Sequence, residues 1–259
     1  MISVVIRNKN EAKLLERTLK VLTKFYKNDI DEIILVDNNS TDNSIEIANQ
    51  YNCKIVYIDK FTYGKAINMG VESAKNDVIL LLSSHAIPIG NSFFKNSMQF
   101  IIENKDWAGI RFINSAKNYE RVLESDFEVK QPLDFGLMAA CCLVSKKVWE
   151  HNKFDESLPF SEDKEWSHRI TENGFKIYDF NETFFYDINR NEASQINRIK
   201  NETLAHYQLH KSKKFPSKIK LVFSFFKKIF ILNTISYFRT IKRDFQIFKI
   251  KFWISNQLK

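Results

Sequence analysis

The sequence is poor in cysteine, with three among 259 residues, at positions 53, 141 and 142. Two of the three are adjacent, so they cannot build the disulfide framework of a small secreted domain. Cys53 and Cys142 lie in apolar stretches, which predicts buried free thiols. Free thiols suit a reducing cytosol, so we expect a cytoplasmic protein.

Long hydrophobic runs are also lacking. No uninterrupted apolar run approaches the ~20 residues of a membrane-spanning helix. The chain starts directly in an apolar, strand-like stretch at residues 2–6, so we expect no signal peptide. The sequence shows no internal repeat and no low-complexity segment. With 259 residues, the chain fits one domain, alone or with an appendage, and is expected to be soluble or at most bound to a membrane surface.

Positive charge is abundant but unevenly distributed. The net charge is +8, yet residues 211–259 hold 13 Lys and Arg against one acid, Asp244, which leaves −4 for residues 1–210. This asymmetry predicts a main domain over 1–210 and a basic, aromatic-rich helical tail over 211–259. Apolar helical stripes flanked by Lys and Arg are typical of helices that lie on an anionic membrane. Packing of the tail on its own domain or on a second copy of the chain is left open; nucleic-acid binding ranks last, because no RNA-binding signature accompanies it.

The most informative stretch is the run Val78–Leu82, five apolar residues without alternation. Such a run predicts a strand buried on both faces, as in a parallel sheet covered by helices. The run ends in Ser83, Ser84 and His85, and Pro88 prevents the strand from continuing. Because ligands of open α/β sheets bind beyond the carboxyl ends of the strands, these three polar residues are the first candidates for chemistry.

Residues 1–82 alternate between strand and helix patterns. Strands are predicted at 2–6, 32–36, 54–58 and 78–82, and helices from 11 to about 25, 41 to about 51, and 65 to 74. This alternation predicts an α/β fold with a mostly parallel, Rossmann-like sheet flanked by helices. Further along, a helix from 161 to 173 is expected to stop at Gly174, and residues 114–135, without clear periodicity, are expected to form a long functional loop.

Four segments in this order resemble a family 2 glycosyltransferase of the GT-A fold: SVVIRNKNE, EIILVDNNSTDNS, TYGKAINMGVESAKNDVILLLSSHAIP and FDESLPFSEDKEWSHRI. The resemblance covers about residues 1–190. It implies a nucleotide-sugar site across the strand ends and inverting transfer of a sugar. Donor-binding positions implied by the resemblance are Asn8, Asn10, Glu11, Asp37, Gly64, Lys65 and Asn68.

The resemblance also implies the catalytic positions. Asp163 matches the family's catalytic base and Glu162 its companion. Ser83-Ser84-His85 stands where most members have Asp-X-Asp, a motif that supplies a carboxylate to a divalent metal ion. Ser83 and Ser84 are expected to hydrogen-bond ribose or the donor sugar. The implied cofactors are Mn²⁺ or Mg²⁺ and a nucleoside diphosphate sugar, with UDP as the default.

His85 has three open interpretations: a metal ligand, a hydrogen-bond donor to the diphosphate without metal, or a buried structural histidine. We favour metal ligation. Imidazole ligates Mn²⁺-type ions but is a poor partner for Mg²⁺, which prefers oxygen. A neutral imidazole also leaves such a site one negative charge short. Asp187 is the nearest candidate for the histidine that often completes the metal shell in the family.

Each of the other positions also has a purely structural interpretation. Asp37 could form an Asx turn, Lys65 could be a solvated lysine at a helix start, and Asn68 could face solvent. Asp163 and Glu162 would stabilise a helix dipole regardless of function. Trp166 could wall a sugar ring or belong to the core, and Arg169 could bind phosphate or pair with Glu165.

His206 and His210 have the i, i+4 spacing that permits metal binding, but no third ligand is evident near them in the sequence. A solvated helix face is therefore expected there.

The sequence thus predicts an inverting glycosyltransferase that uses a glycan or lipid-linked acceptor at the inner face of the cell membrane. A non-catalytic nucleotide-sugar-binding or scaffold subunit, and transfer of a phosphorylated group on the same fold, remain as alternatives. Neither the base, the sugar nor the acceptor can be read from the residues.

Overall fold

The computed structural model describes residues 1–187 and 192–257. The chain divides into two compact units, 1–210 and 211–259. Residues 258 and 259 of the predicted tail lie outside the described residues.

In the first unit, strands and helices alternate for most of the length. The strands are β1 (Ile2–Asn8), β2 (Ile30–Asp37), β3 (Lys54–Tyr57), β4 (Val78–Ser83), β5 (Ala86–Ile89), β6 (Trp107–Phe112), β7 (Cys141–Ser145), β8 (Lys176–Phe180) and β9 (Thr183–Tyr186). The helices are α1 (Ala12–Phe25), α2 (Ser44–Gln50), α3 (Tyr63–Glu72), α4 (Phe93–Glu103), α5 (Ala116–Ser125), α6 (Pro132–Phe135), α7 (Lys146–His151), α8 (Glu162–Glu172) and α9 (Glu192–Leu209).

Seven strands form one sheet in the order β3-β2-β1-β4-β7-β6-β8. Strands β1 to β4 are parallel, as predicted, whereas β7 runs antiparallel to both β4 and β6. A separate two-stranded ribbon pairs β5 with β9. The predicted mostly parallel α/β sheet flanked by helices is therefore confirmed.

Strand β4 is central, and both of its faces are buried. Leu80 and Leu82 pack into one apolar cluster, and Ile79 and Leu81 pack into another on the opposite face of the sheet. This double burial is the reason the run lacks polar alternation. All three cysteines are buried and free, as expected for Cys53 and Cys142.

Residues 114–135 differ from the prediction of a long loop. They contain helix α5, whose N-cap is Ser115, and the short helix α6. The Ser115 hydroxyl accepts a hydrogen bond from the Asn118 amide at 3.3 Å. Only Val122 of α5 is buried, so the helix leaves almost no apolar periodicity in the sequence.

Helix α8 ends as the sequence predicts. Asn173 caps it, and Gly174 follows with a φ of +87°, a conformation that favours glycine.

The second unit is a single long helical stretch. It consists of α10 (Lys218–Lys227), a π-helical turn (Lys228–Asn233) and α11 (Thr234–Gln257). Every described residue of 211–257 is exposed. By length and composition alone, the stretch Lys218–Gln257 could cross a membrane. The sequence predicted no membrane-spanning helix, because no uninterrupted apolar run is long enough. This finding revises that expectation, since Lys227 and Lys228 interrupt the apolar run without ending the helix.

Candidate active site

The parallel register brings polar residues together at the carboxyl edge of the sheet. Arg7 and Asn8 end β1, Asp37 ends β2 and Ser83 ends β4. Asn8 lies opposite Asp37, and Arg7 lies opposite Ser83. An edge where several parallel strands end is where an α/β fold presents a ligand site.

Asp37 holds the loop after β2 in shape. Its carboxylate accepts hydrogen bonds from the Ser40 amide at 2.8 Å, the Ser40 hydroxyl at 2.6 Å and the Asn8 amide group at 3.1 Å. Asn10, with a φ of +51°, accepts from the Thr41 amide at 2.7 Å and so connects the first loop to the second. The Asx-turn interpretation of Asp37 thus describes its present contacts, and its side chain is fully buried.

Glu11 joins the first loop to the end of β4. Its carboxylate accepts a short hydrogen bond from the Ser84 hydroxyl and lies 2.7 Å from Nδ1 of His85. A carboxylate only accepts, so Nδ1 of His85 carries the hydrogen. The Nε2 atom of His85 is buried and has no hydrogen-bond partner among residues 1–187 and 192–257. The site therefore holds one imidazole nitrogen with its lone pair available.

Asp163 and Glu162 occupy the first turn of α8, but their environments differ. The Asp163 carboxylate accepts hydrogen bonds from the backbone amides of Ala139 and Lys164, both at 2.9 Å. Glu162 is almost fully buried and faces Arg7, whose guanidinium lies 3.5 Å away. Arg7 also donates to the Ala139 carbonyl at 2.8 Å, so the backbone of one residue, Ala139, contacts Asp163 through its N–H and Arg7 through its C=O.

Burial changes the acidity of this carboxylate pair. It raises the pKa of Glu162 to about 8, with a further upward contribution from the negative charge of Asp163 and an opposing one from Arg7. Burial also raises the pKa of Asp163, against the stabilising hydrogen bond from Ala139. Because two adjacent carboxylates resist double ionisation, the pair retains a proton more readily than isolated carboxyl groups would.

These groups surround one cleft of about 780 Å³. Ser83 and His85 line it from the end of β4, and Glu162, Asp163 and Arg7 line it from α8 and β1. The predicted base and the predicted donor-site histidine therefore face the same hollow.

Among the predicted donor residues, Ser83 lines this cleft, whereas Asn8, Asn10, Glu11, Asp37, Gly64, Lys65, Asn68 and Ser84 do not. The side chain of Asn68 is buried and makes four hydrogen bonds to protein groups, among them the backbone N–H and C=O of Phe154 and the indole N–H of Trp149. Gly64 packs so closely that a Cβ atom there would lie 2.2 Å from the Asp155 carbonyl oxygen. Both residues fix the segment 154–156 against α3. Lys65 is half-buried on the same helix turn and does not line the cleft either.

The two predicted substrate residues also lie elsewhere. Trp166 is fully buried, stacks on Phe154 at 5.0 Å and donates to the Asn152 carbonyl, as a core residue does. Arg169 pairs with Glu165 at 2.8 Å, which is the i, i+4 alternative.

Sequence reasoning missed several residues of the cleft. Arg7 is the clearest, since a cation at the end of an otherwise apolar strand is itself a signal. His206 on α9 and His210 just beyond it, expected on a solvated face, are half-buried and line the cleft, as do Tyr63 and Asp134. Asp134 was hidden because it belongs to a segment without periodicity.

Known proteins agree with this architecture. Residues 3–180 match the family model described as glycosyl transferase family 2. The chain therefore belongs to glycosyl transferase family 2, whose GT-A fold the sheet displays. Among curated proteins, none matches the sequence significantly.

Three solved structures illustrate the fold. The mannosyltransferase PcManGT from Pyrobaculum calidifontis, in complex with GDP-Man and Mn²⁺, is similar with a TM-score of 0.66 and 14% identity over 83% of this chain and 65% of that one. S. aureus TarS 1-349 in complex with UDP-GlcNAc is similar with a TM-score of 0.59 and 20% identity, over 73% of this chain and 59% of that one. Glucosyl-3-phosphoglycerate synthase from Mycobacterium tuberculosis, in complex with Mn²⁺, UDP and glucosyl-3-phosphoglycerate, has a TM-score of 0.61 and 16% identity, over 84% of this chain and 81% of that one. The chain thus spans less than two thirds of the first two proteins.

Proposed function

We propose that the protein transfers a sugar from a nucleoside diphosphate sugar to a hydroxyl group, with inversion at the anomeric carbon. The observation that carries the proposal is the shared cleft: Asp163 and His85 face it from different elements. The part of the cleft beside Asp163 would hold the acceptor hydroxyl, and the part beside His85 would hold the diphosphate that leaves.

Asp163 is the proposed general base. Its ionised carboxylate takes the proton of the acceptor hydroxyl, the hydroxyl oxygen forms a bond to the anomeric carbon, and the bond from that carbon to the diphosphate oxygen breaks with its electron pair on the diphosphate. The two backbone amides fix the carboxylate in place. Its raised pKa makes it a better proton acceptor than an ordinary aspartate. Glu162, whose pKa burial raises to about 8, is proposed as the member of the pair that keeps the proton.

His85 fits a divalent metal ion. Its Nδ1–H is held by Glu11, and its buried Nε2, which has no hydrogen-bond partner within the described residues, is the proposed ligand atom; a carboxylate behind a metal-binding imidazole is a common arrangement. The negative charge of Glu11 offsets part of the charge lost with the usual Asp-X-Asp. When bound, such an ion screens the charge that develops on the leaving diphosphate. The similar structures that contain Mn²⁺ support this assignment.

Asp37 and Asn10 are proposed to act on the nucleotide through the loop that they shape. UDP and GDP donors occur in the similar structures, and UDP remains the default. Ser83, which ends β4 and lines the cleft, is proposed to lie along the donor. Asn8 and Ser84 are buried at the same edge, hydrogen-bonded to Asp37 and Glu11, and are proposed to support the residues around the donor.

The acceptor is proposed to be a surface-polysaccharide or lipid-linked glycan. The basis is the tail of residues 211–257, whose apolar and basic side chains are all exposed. Such a surface fits an anionic membrane at the cytoplasmic face, where a lipid-linked acceptor is held.

Asp163→Asn tests the base role, since the change is nearly isosteric and removes the ability to take a proton. It also removes one of the two backbone hydrogen bonds that the carboxylate accepts, so circular dichroism verifies that the variant folds. We expect turnover to fall by about 10²–10⁴-fold while the affinity for donor is retained. The measurement is steady-state transfer together with donor titration. Asp77→Asn, an exposed carboxylate at the other end of β4, is the control. A variant that keeps most of its rate would remove Asp163 from this role.

A non-catalytic, nucleotide-sugar-binding subunit is the second candidate, favoured by Ser-Ser-His in place of Asp-X-Asp. Slow hydrolysis of donor without acceptor discriminates the two, because only an enzyme releases free diphosphate. Donor binding without any release would favour the second candidate.

A further inference from the structure

Three metal-ligating side chains meet where α9 passes α6. Asp134 belongs to α6, and His206 and His210 lie one turn apart near the end of α9. One potential ligand atom from each residue lies within 4.8 Å of the other two. The sequence showed only the histidine pair, and the fold supplies the third ligand.

The tautomer of His210 can be read from its contacts. Nδ1 of His210 lies 3.0 Å from the backbone carbonyl oxygen of His206, which only accepts, so Nδ1 carries the hydrogen. The opposite nitrogen, Nε2, then lies 3.2 Å from a carboxylate oxygen of Asp134. This Nε2 is buried and makes no hydrogen bond within the described part of the chain. A lone pair and a carboxylate at that distance repel each other unless a positive charge is placed between them.

The distance suits a metal ion as that charge. Zinc binds imidazole nitrogen at about 2.0–2.1 Å and carboxylate oxygen at about 2.0–2.2 Å, so two ligands of a tetrahedral ion lie about 3.4 Å apart. The observed 3.2 Å is close to this value. Metal-binding histidines also commonly donate their second N–H to a backbone carbonyl, as His210 does.

We propose that Asp134, His206 and His210 bind a divalent ion of the zinc class. Two imidazoles and one carboxylate form a ligand set that suits Zn²⁺ and leaves a fourth position for water or a substrate group. All three residues line the cleft, so that position faces it. The site shares no ligand with His85 and ties α6 to α9 at the edge of the cleft.

The test uses the full-length chain, stripped with chelator and titrated with Zn²⁺ by calorimetry. We expect one equivalent to bind at this site, and binding to weaken at least tenfold in His210→Gln and in Asp134→Asn. Binding should persist in His168→Gln, which changes an exposed histidine paired with Glu172. Zn²⁺ binding should also persist in His85→Gln, a variant that separates this site from any ion bound by His85.

Substitution with Co²⁺ gives a second readout. The visible absorption of Co²⁺ bound by imidazole should appear in the wild-type chain and in His85→Gln, and should be lost when His206→Gln is combined with His85→Gln. Asp134 is 44% exposed, so Asp134→Asn should fold normally, and circular dichroism verifies this. If the wild-type chain binds no Zn²⁺, if His210→Gln binds it as well as wild type, or if only His85→Gln loses it, the proposal is overturned. His210 and Asp134 would then be an imidazolium–carboxylate ion pair.

Discussion

At the scale of single residues, the start of α8 places two adjacent carboxylates in different surroundings. Asp163 accepts two backbone hydrogen bonds and faces the cleft, whereas Glu162 is buried against Arg7. Hydrogen bonds to a carboxylate favour its charged form, and burial favours its neutral form. The proposed division between a charged base and a protonated neighbour rests on this difference in backbone hydrogen bonds, although burial raises the pKa of both carboxyl groups.

Glu162→Gln should flatten the pH dependence of folding stability. The pKa of Glu162 is about 8 in the folded chain, above its ordinary value of 4.5. A raised pKa means that its contribution to the free energy of unfolding is fully present below about pH 4.5 and is lost as pH rises through about 8. Urea denaturation between pH 5 and pH 8.5 should show wild-type stability falling by a few kcal/mol more than that of the variant.

Glu172→Gln is the matched control for this experiment, because Glu172 is exposed near the other end of the same helix. Its stability should change with pH as the wild type does. Parallel pH curves for wild type and Glu162→Gln would contradict the assigned protonation of Glu162.

His85→Ala should abolish any stabilisation that Mn²⁺ adds to nucleotide binding. A ligand at 100 times its Kd stabilises the folded state by about 2.7 kcal/mol, which raises Tm by several degrees in a chain of this size. Thermal unfolding with UDP, GDP or dTDP, each with and without Mn²⁺, measures the effect and identifies the base. His151→Ala, an exposed histidine at the end of α7, is the control. A Mn²⁺-dependent shift that survives in His85→Ala would exclude His85 as the ligand.

At the scale of elements, buried polar contacts position helices that apolar packing alone would not. Helix α5 presents one buried side chain, yet Arg121 on it reaches the buried Asp179 of β8 at 2.8 Å. Arg111 of β6 lies 3.8 Å from the same carboxylate. A buried carboxylate requires such partners, so Asp179 fixes where α5 lies.

Gly64→Ala should detach α3 from the segment 154–156. The added Cβ would lie 2.2 Å from the carbonyl oxygen of Asp155, a backbone atom that can move only with its neighbours. We expect a loss of about 1–3 kcal/mol in the free energy of unfolding, measured by urea denaturation. Lys65→Ala, the next residue of the helix, is the control and should change stability little. A Gly64→Ala chain as stable as wild type would show that this close approach is not required.

At the scale of the whole molecule, charge is divided unevenly along the sequence. Residues 1–210 carry −4 and the remaining 49 residues +12. The described tail residues bury none of their apolar side chains, although the tail contains many Phe and Ile residues. Large exposed apolar surfaces mark interaction sites, and the flanking cations support the proposed anionic partner.

Charge reversal at Lys227 and Lys228 should weaken binding of the full chain to vesicles that contain anionic lipid. Each cation near such a surface contributes about 1 kcal/mol, so the loss of two reduces affinity at least ~30-fold. Sedimentation with anionic and with neutral vesicles measures this, and deletion of 211–259 should abolish it. Reversal of Lys9 and Lys13, outside the tail, is the control. If the truncated chain still sediments with the vesicles, the tail is not the membrane-binding element; resistance to carbonate extraction would instead indicate a spanning helix.

The sequence by itself determined the parallel half of the fold, through β1 to β4. β1, β2 and β4 are largely buried on both faces, and β3, at the exposed edge of the sheet, was indicated by its place in the strand–helix alternation. Hydrophobic runs and helix starts therefore specified all four strands. Asp37, Ser83, His85 and Asp163 could be singled out for a related reason, because each follows directly on a recognisable strand or begins a recognisable helix.

Only the tertiary structure decided which polar residues meet. Arg7 comes to Glu162, Glu11 to His85, and Asp134 to His210 through contacts between segments far apart in the chain. The tertiary structure likewise shows that Asn68 supports a loop through hydrogen bonds to Phe154. The residue type alone does not indicate which groups will form hydrogen bonds with it. Local periodicity reports burial, whereas partnership between polar groups depends on distances that exist only after the chain has folded.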